Sequence, residues 1–387
     1  MKTNPFYNPQ MRWRRLRGKG FQWAMLLSLF ISLGFLAIFL IDIVSTAMPA
    51  FKQTYIKVEV DYSERSLRFT SRAVDRNLRG VVSRAWLRMI PQVVEQNPEL
   101  KGQKIPTWVL ADDSVDQWMK GHHHGLKQSQ VSMLEAMRSE GNVELRFNRL
   151  FFTTGDSKLP EYAGIYAAII GSIVTLFVTM LLAFPLGTMT AIYLEEFAKD
   201  SALNRFIEVN INNLAAIPSI LFGLLGLSVF INLFGLPRSS PLVGGITLAL
   251  MTLPIIIVSA RAALRSVPDS IRHAGYGLGL TKLQVVTGHV LPIAMPGILT
   301  GSIIGLAQAM GETAPLIIIG MIAFIPEAPT SVVDSATVLP AQIFTWAGMP
   351  ERAYVEKTAA GILVILGTLV VLNSLAIYLR KKYEIKW

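Results

Sequence analysis

The amino-acid sequence of 387 residues contains no cysteine, so neither a disulfide nor a thiolate metal site can form within the chain. Charged residues are scarce, at 16%, and no GxxxxGKS or GxxxxGKT loop is present, so we expect no nucleotide or other cofactor on this chain. A basic stripe interleaved with aromatic residues is also missing, which argues against a nucleic-acid partner. Hydrophobic residues make up 52% of the chain and the mean hydropathy is +0.45, which predicts an integral membrane protein that contacts lipid.

Six apolar segments are long enough to cross a bilayer, whose core of roughly 30 Å needs about 20 helical residues. They cover residues 21–48, 162–194, 209–236, 242–260, 291–325 and 359–379. Asp42 and Glu312 are the charged residues inside them. Breaks in these helices are plausible at Pro185, Pro218, Pro254 and Pro315. The predicted fold class is all-α transmembrane with six helices.

Lysine and arginine are distributed unevenly between the two sides of this arrangement. They are frequent in residues 1–20, in the connector 261–290 and in the tail 381–387, whereas the short loops on the other side hold Arg238, Arg352 and Lys357. Cytoplasmic loops carry the excess of positive charge, so both termini are predicted to be cytoplasmic. The first segment is too long for a signal peptide and is interpreted as a retained span.

Residues 49–158 are then predicted to form an extracytoplasmic α+β insert after the first span. Alternating apolar residues predict strands at Ile56–Tyr62 and 143–147, and periodicity favours helices at 70–96 and 129–140. The three consecutive histidines His122, His123 and His124 suggest a metal site, but neighbouring side chains diverge, so a solvated loop without metal is favoured.

The connector 261–290 is polar and lies between two spans. We predict a helix start at Ser266 with Pro268 in its first turn, followed by a tight turn among Gly275, Gly277 and Gly279. Tyr276 and Leu278 would offer apolar surface to a partner groove. A short helix outside the membrane between two spans is suited to docking, and a connector that lies on the membrane surface is the alternative.

Several motifs resemble those of one transporter family. The spacing from Gly279 to Leu291-Pro292 is similar to the cytoplasmic "EAA" coupling loop of ABC importer permeases. Four further motifs resemble the PstA family of phosphate ABC transporter permeases, which are type I binding-protein-dependent importers. These motifs are Ala191-Ile-Tyr-Leu-Glu-Glu-Phe-Ala198, Ile217-Pro-Ser-Ile-Leu-Phe-Gly-Leu224, Ser266-Val-Pro-Asp-Ser-Ile271 and Gly311-Glu-Thr-Ala-Pro-Leu316. The insert 49–158 has no counterpart in this resemblance.

The resemblance implies a six-helix ABC type I importer permease, residues 159–380, in the bacterial inner membrane. Its implied partners are a PstC-like second permease, a PstB-like ATPase dimer that holds ATP and Mg, and an extracytoplasmic PstS-like phosphate-binding protein. The residues implied in ATPase coupling are His273, Ala274, Gly275, Gly279, Leu291 and Pro292. The chain departs from the family pattern at His273 and Gly275 of the Glu-Ala-Ala motif, and at His289, Gln308, Val258 and Arg261.

An ionisable residue inside a span is costly and by default marks a pathway, and Glu312 is the clearest case. Pro315 cannot donate to the Gly311 carbonyl, so the helix should loosen beside Glu312 and Thr313. The predicted substrate pathway comprises Glu312, Thr313, Gln308 and Ser219. A structural pairing of Glu312 and a helix-packing role for Ser219 are the alternatives.

Two other classes of function remain open from the sequence. A secondary transporter or channel would be expected to have repeated spans or several intramembrane charges. A membrane-anchored sensor or scaffold would act through the 49–158 insert. Within the importer class, another oxyanion could replace phosphate as the substrate.

Overall fold

The computed structural model describes residues 9–322 and 324–383, so the predicted basic residues Lys2 and Lys386 lie outside it. In chain order the α-helices are α1 Pro9–Ala47, α2 Glu64–Arg68, α3 Arg84–Gln96, α4 Asp113–Met119, α5 Gln128–Ser139, α6 Leu150–Thr153, α7 Tyr166–Ile192, α8 Ala202–Ala215, α9 Ser219–Leu225, α10 Pro241–Arg265, α11 Asp269–Gly277, α12 Lys282–Val285, α13 Leu291–Gly311, α14 Ala314–Ile318, α15 Leu339–Ala347 and α16 Arg352–Tyr383. The strands are β1 Lys52–Asp61, β2 Lys104–Leu110 and β3 Val143–Phe147.

Within residues 9–322 and 324–383, five helical stretches are long and apolar enough to cross a membrane, and a bent helix pair brings the number to six, as the sequence predicts. The stretches are Trp13–Phe51, Tyr166–Phe197, Pro241–Arg265, Lys282–Gly311 and Arg352–Lys382. Helix α10 packs between α7 and α13. A Cβ added to Gly245 would lie 2.5 Å from the Val178 Cβ, so glycine is required for this close approach of α10 and α7.

The third predicted span, 209–236, is broken in the structure. Helices α8 and α9 meet at 103° around Pro218, and α9 continues as π-helical turns over Gly226–Leu233. Pro218 adopts extended backbone angles, φ −55° and ψ 133°, and cannot donate to the preceding turn. Pro185 and Pro254 lie inside the continuous helices α7 and α10, so of these three prolines only Pro218 breaks its helix.

The fifth predicted span, 291–325, also differs from the structure. Its helix begins earlier, because α12 and the π-helical turn Val286–Val290 run directly into α13. It ends at Gly311, where Glu312 adopts an extended conformation with φ −76° and ψ 120°. The predicted loosening beside Glu312 is therefore present as a complete break before α14.

Residues 52–147 form an α+β unit around a three-stranded antiparallel sheet with the strand order β2-β1-β3. The alternating Ile56, Val58 and Val60 of β1 are buried and pack on α3. Within 70–96 the structure forms a single long helix, α3, preceded by a 3₁₀ turn. Strand β2 and helix α4 were not predicted, and in β2 Pro106 interrupts the strand pattern. As an edge strand, β2 tolerates a proline.

A buried ionic cluster joins this unit to the start of α16. Lys120, with 7% of its side chain exposed, lies 2.5 Å from Asp116 and 3.0 Å from Glu356, and His122 Nδ1 lies 3.0 Å from Glu356. Burial raises the pKa of Asp113 to about 7, with Asp116, Glu161 and Asp112 adding to the effect. His122 therefore lies in a charged junction, which corrects the solvated-loop interpretation for that residue. No group of three or more His, Cys, Asp or Glu suited to a metal occurs in residues 9–322 and 324–383.

Candidate functional site

The polar connector folds into the short helix α11 between two turns. Helix α10 continues to Arg265 and Ser266 is its C-cap, so the predicted helix start at Ser266 is wrong. The new helix begins at Asp269, with Pro268 in an extended conformation at the N-cap. Asp269 then lies in the first turn of α11, where a carboxylate interacts favourably with the helix dipole.

One of the three predicted glycines is required by the backbone conformation of the turn after α11. Gly279 has φ +78°, a left-handed conformation that other residues adopt with strain. Gly275 has a different role, because a Cβ added there would lie 2.7 Å from Val285 Cγ2. Gly277 has open space around it. The predicted tight turn is therefore made at Gly279, and Gly275 allows α11 to pack against α12.

Helix α11 and the turn after it present an exposed surface, which we call the α11 surface. It comprises His273, Ala274, Tyr276 and Leu278, and Leu278 is 80% exposed. Leu291 and Pro292 lie elsewhere, at the start of α13 after the helical residues 282–290. Of the predicted coupling residues, His273 and Ala274 are thus on the α11 surface, Gly275 and Gly279 form the packing and the turn beside it, and Leu291 and Pro292 are separated from it.

A first group of ion pairs joins the neighbouring helix ends. Arg261 Nε lies 3.2 Å from Glu195 Oε2, and Arg261 Nη2 lies 2.8 Å from Glu208 Oε1. Arg265 Nε lies 2.7 Å from Glu195 Oε1. Only 15% of the Arg261 side chain is exposed. Arg261 therefore connects α10 to the end of α7 and to α8.

A second ion pair attaches α11 to the end of α7. Arg272 Nη2 donates to Glu196 Oε1 at 2.6 Å, and Glu196 is 7% exposed at the end of the π-helical turn Tyr193–Phe197. The hydrogen bond to Glu196 raises the pKa of Arg272 above its ordinary value. Sequence reasoning did not find these pairs. The available signal was the presence of acids in 195–208 and arginines in 261–272, two connectors predicted to lie on the same side.

Two predicted pathway residues lie at the break between α13 and α14. Glu312 and Thr313 form the link between α13 and α14, in which Glu312 is extended and Thr313 is the N-cap of α14, and both are half-buried. Gln308 lies one turn earlier on α13 and is exposed. The side chains of Glu312, Thr313 and Gln308 have no hydrogen-bond or ion-pair partner among the residues that the structure describes. Their polar groups are therefore available to a ligand or to another subunit.

Ser219 begins α9, which packs against α14 just beyond this break. A Cβ added to Gly223 would lie 2.7 Å from Pro315 Cα, so the two backbones are in direct contact. This contact brings the Ser219-bearing helix against the segment that follows Glu312.

A cavity between α7, α10 and α13, lined in part by Thr175 and Met310, has a volume of about 10 Å³, which is the size of one water molecule.

The sequence matches two family models. Residues 183–385 match the family described as binding-protein-dependent transport system inner membrane component. Residues 8–71 and 64–126 match a domain of unknown function, DUF3333, which covers the first helix and much of the α+β unit. The first match includes the break at Glu312, the connector with α11 and the ion-paired helix ends.

Several curated relatives are phosphate transport permeases by name. The chain is 38% identical to phosphate transport system permease protein PstA 1 of Mycobacterium tuberculosis (strain CDC 1551 / Oshkosh) over 42% of this chain and 53% of that protein. It is 32% identical to PstA of Yersinia pestis over 57% of this chain and 74% of that protein. It is 33% identical to PstC of Pasteurella multocida (strain Pm70) over 55% and 73%, respectively. The chain thus spans about half the length of the mycobacterial relative and about three quarters of the other two. With more than half of its residues matching the family model, the chain belongs to the family of binding-protein-dependent transport system inner membrane components.

Proposed function

We propose that this chain is the membrane permease subunit of an ATP-driven phosphate importer. It forms the translocation path with a PstC-like second permease, and α11 couples it to a PstB-like ATPase dimer that binds ATP and Mg. The observation that carries this proposal is the α11 surface. It is exposed, while Arg272 attaches its helix to the end of α7 by an ion pair and to the end of α10 by a hydrogen bond. The relatives named PstA and PstC support phosphate as the substrate.

We further propose that both termini and α11 lie in the cytoplasm at the bacterial inner membrane. The concentration of Lys and Arg near α11 and in the tail supports this orientation. The α+β unit within 49–158 then faces outward, on the side where a PstS-like binding protein would deliver phosphate.

In this proposal Glu312, Thr313, Gln308 and Ser219 lie along the substrate path. A carboxylate repels phosphate, so Glu312 acts by orienting a cationic or amide group of the second permease. The absence of a described partner for Glu312 and the exposure of Gln308 support this arrangement. Ser219 at the start of α9 offers a hydroxyl beside backbone N–H groups at a helix N-terminus.

Uptake of radiolabelled phosphate tests the function directly. Proteoliposomes that contain this chain with the PstC-like permease and PstB-like ATPase should accumulate phosphate only with ATP inside and the PstS-like protein outside. The substrate is identified by competition, in which excess unlabelled phosphate, arsenate, sulfate or molybdate is added and the inhibition of labelled phosphate uptake is compared. If unlabelled sulfate or molybdate abolishes uptake at concentrations where phosphate does not, the transporter serves another oxyanion. Accumulation without the ATPase would indicate a secondary transporter.

The match of residues 8–126 to a separate domain family favours one second candidate, a sensor or scaffold that acts through the insert. A deletion can separate the two functions cleanly, because Lys52 and Phe147 are paired across β1 and β3. Replacing residues 53–146 by a two-residue turn keeps Phe151 and Asp156, which pack against the membrane unit. The deletion removes Lys120, the ion-pair partner of Glu356. Glu356→Gln is therefore added to the same variant, so that no unpaired carboxylate is left at this position. Transport should survive if the insert is accessory, and its loss would favour the second candidate.

A further inference from the structure

Arg272 of α11 has all five of its N–H groups directed at acceptors. Nε and one N–H of Nη2 contact the Glu196 carboxylate, at 3.3 and 2.6 Å. The second N–H of Nη2 reaches the Leu264 carbonyl at 3.0 Å, and Nη1 reaches the Val267 carbonyl at 2.7 Å and Asp269 Oδ1 at 3.3 Å. A guanidinium has five donors in a fixed planar arrangement, so this environment uses its full capacity.

These acceptors belong to three different segments of the chain. Glu196 lies in the π-helical turn that follows α7, Leu264 lies in the last turn of α10, and Asp269 begins α11. The Leu264 carbonyl in the last turn of α10 also accepts a longer hydrogen bond, 3.3 Å, from the Val267 N–H, so Arg272 is a second donor to this group. Moving α11 relative to either span therefore breaks charge-assisted hydrogen bonds, which are stronger than neutral ones.

The adjacent carboxylates Glu195 and Glu196 have different partners. Glu195 pairs with Arg261 and Arg265, which both lie on α10, so it joins α7 to α10 without contacting α11. Glu196 pairs with Arg272 and is the ion-pair partner that joins α7 to α11 within the described residues. The separation provides a matched control, because Arg265 can be neutralised without touching the α11 connection.

We propose that Arg272 and Glu196 form the joint through which displacement of α11 by the ATPase is transmitted to α7 and α10. They are positioning residues, since neither touches substrate or nucleotide. The inference rests on the proposed function as an ATP-driven importer. A joint of this kind affects how many phosphate ions move per ATP hydrolysed, whereas a residue needed only for folding affects the amount of transporter.

The test uses the complete importer in proteoliposomes, with ATPase copurification, ATP hydrolysis and phosphate uptake measured on the same preparation. For Arg272→Gln we expect normal copurification and continued hydrolysis, with phosphate moved per ATP reduced about tenfold, the factor that corresponds to losing one charge-assisted hydrogen bond. Arg265→Gln is the control and should keep the wild-type ratio. Glu196→Gln retains one acceptor oxygen, so we expect a smaller reduction, about threefold.

Each outcome decides the proposal. A wild-type ratio in both Arg272→Gln and Glu196→Gln would overturn it, as would an equal reduction in Arg265→Gln. Loss of ATPase copurification with normal membrane abundance would also overturn it and make Arg272 a docking residue. If Arg272→Gln is missing from the membrane, Glu196→Gln decides alone. Failure of the proposed function has a different signature, since the wild-type complex itself would then move no phosphate.

Discussion

Substituting Gly279 provides the sharpest test of the α11 turn. Its φ of +78° costs an L-residue roughly 1–2 kcal/mol, and aspartate and asparagine tolerate this region better than most residues. No heavy atom lies within 4 Å of an added Cβ, so steric overlap adds nothing to that cost. Because a folded domain is stable by about 5–15 kcal/mol, Gly279→Asp should remain folded and in the membrane.

The added charge should weaken association with the ATPase much more than the strain does. Burying a carboxylate without a partner in a protein groove costs several kcal/mol, and about 3 kcal/mol corresponds to roughly a hundredfold loss of affinity. Gly279→Asn has nearly the same shape and strain without the charge. We therefore expect Gly279→Asn to weaken ATPase binding less than about tenfold and Gly279→Asp by about a hundredfold.

The assay is titration of the detergent-solubilised permease pair with the purified ATPase, with membrane abundance measured alongside. Wild-type affinity in Gly279→Asp would show that the turn at Gly279 lies outside the contact with the ATPase. Equal weakening by the asparagine and aspartate variants would show that backbone geometry, and not charge, determines docking.

Three further predictions follow from the intramembrane break and from the junction of the insert. Glu312→Gln should reduce phosphate uptake at least about fivefold with ATPase copurification unchanged, and uptake at the wild-type rate would contradict its pathway role. Gly223→Leu should force α9 away from Pro315, at a cost of about 1–3 kcal/mol of overpacking, and lower both the thermal unfolding temperature and uptake; unchanged values would show that the contact is dispensable. The pKa of Asp113 is raised to about 7, so its contribution to stability is present at low pH and is lost as pH rises through about 7. The insert should therefore resist proteolysis better at pH 6 than at pH 8, and Asp113→Asn should abolish most of that difference; a pH dependence that survives this substitution would assign the effect to another group.

The sequence predicted the features that depend on composition and local chemistry. Six apolar segments account for the six membrane-crossing elements, because hydrophobic length is a property of each segment alone. The break beside Glu312 could be predicted because Pro315 cannot donate to the Gly311 carbonyl. The sequence predicted that the turn after α11 contains a required glycine and offered three candidates. Only the positive backbone φ in the structure identifies Gly279 as that glycine.

Features that depend on distant contacts were not predictable from one sequence. Pro185, Pro218 and Pro254 all lie in apolar sequence, yet of these three only Pro218 marks a change in helix direction. The helix that follows Pro218 packs through Gly223 on Pro315, which is a distant contact. The Arg272–Glu196 pair joins residues 76 positions apart, so no local pattern indicates it.

Strand β2 was missed for a related reason. Pro106 argues against a central strand, and only the pairing order shows that this strand lies at the sheet edge, where a missing N–H is tolerated.

Site-specific crosslinking measures directly whether α11 contacts a separate ATPase. Because the chain has no cysteine, Leu278→Cys introduces a unique thiol at a position that is 80% exposed. Labelled with a photoactivatable reagent in the assembled importer, it should form an adduct with the ATPase, whereas Leu145→Cys on β3 should form none. An assembled importer that gives no ATPase adduct from position 278, or an equal one from position 145, would show that α11 is not the site of ATPase contact.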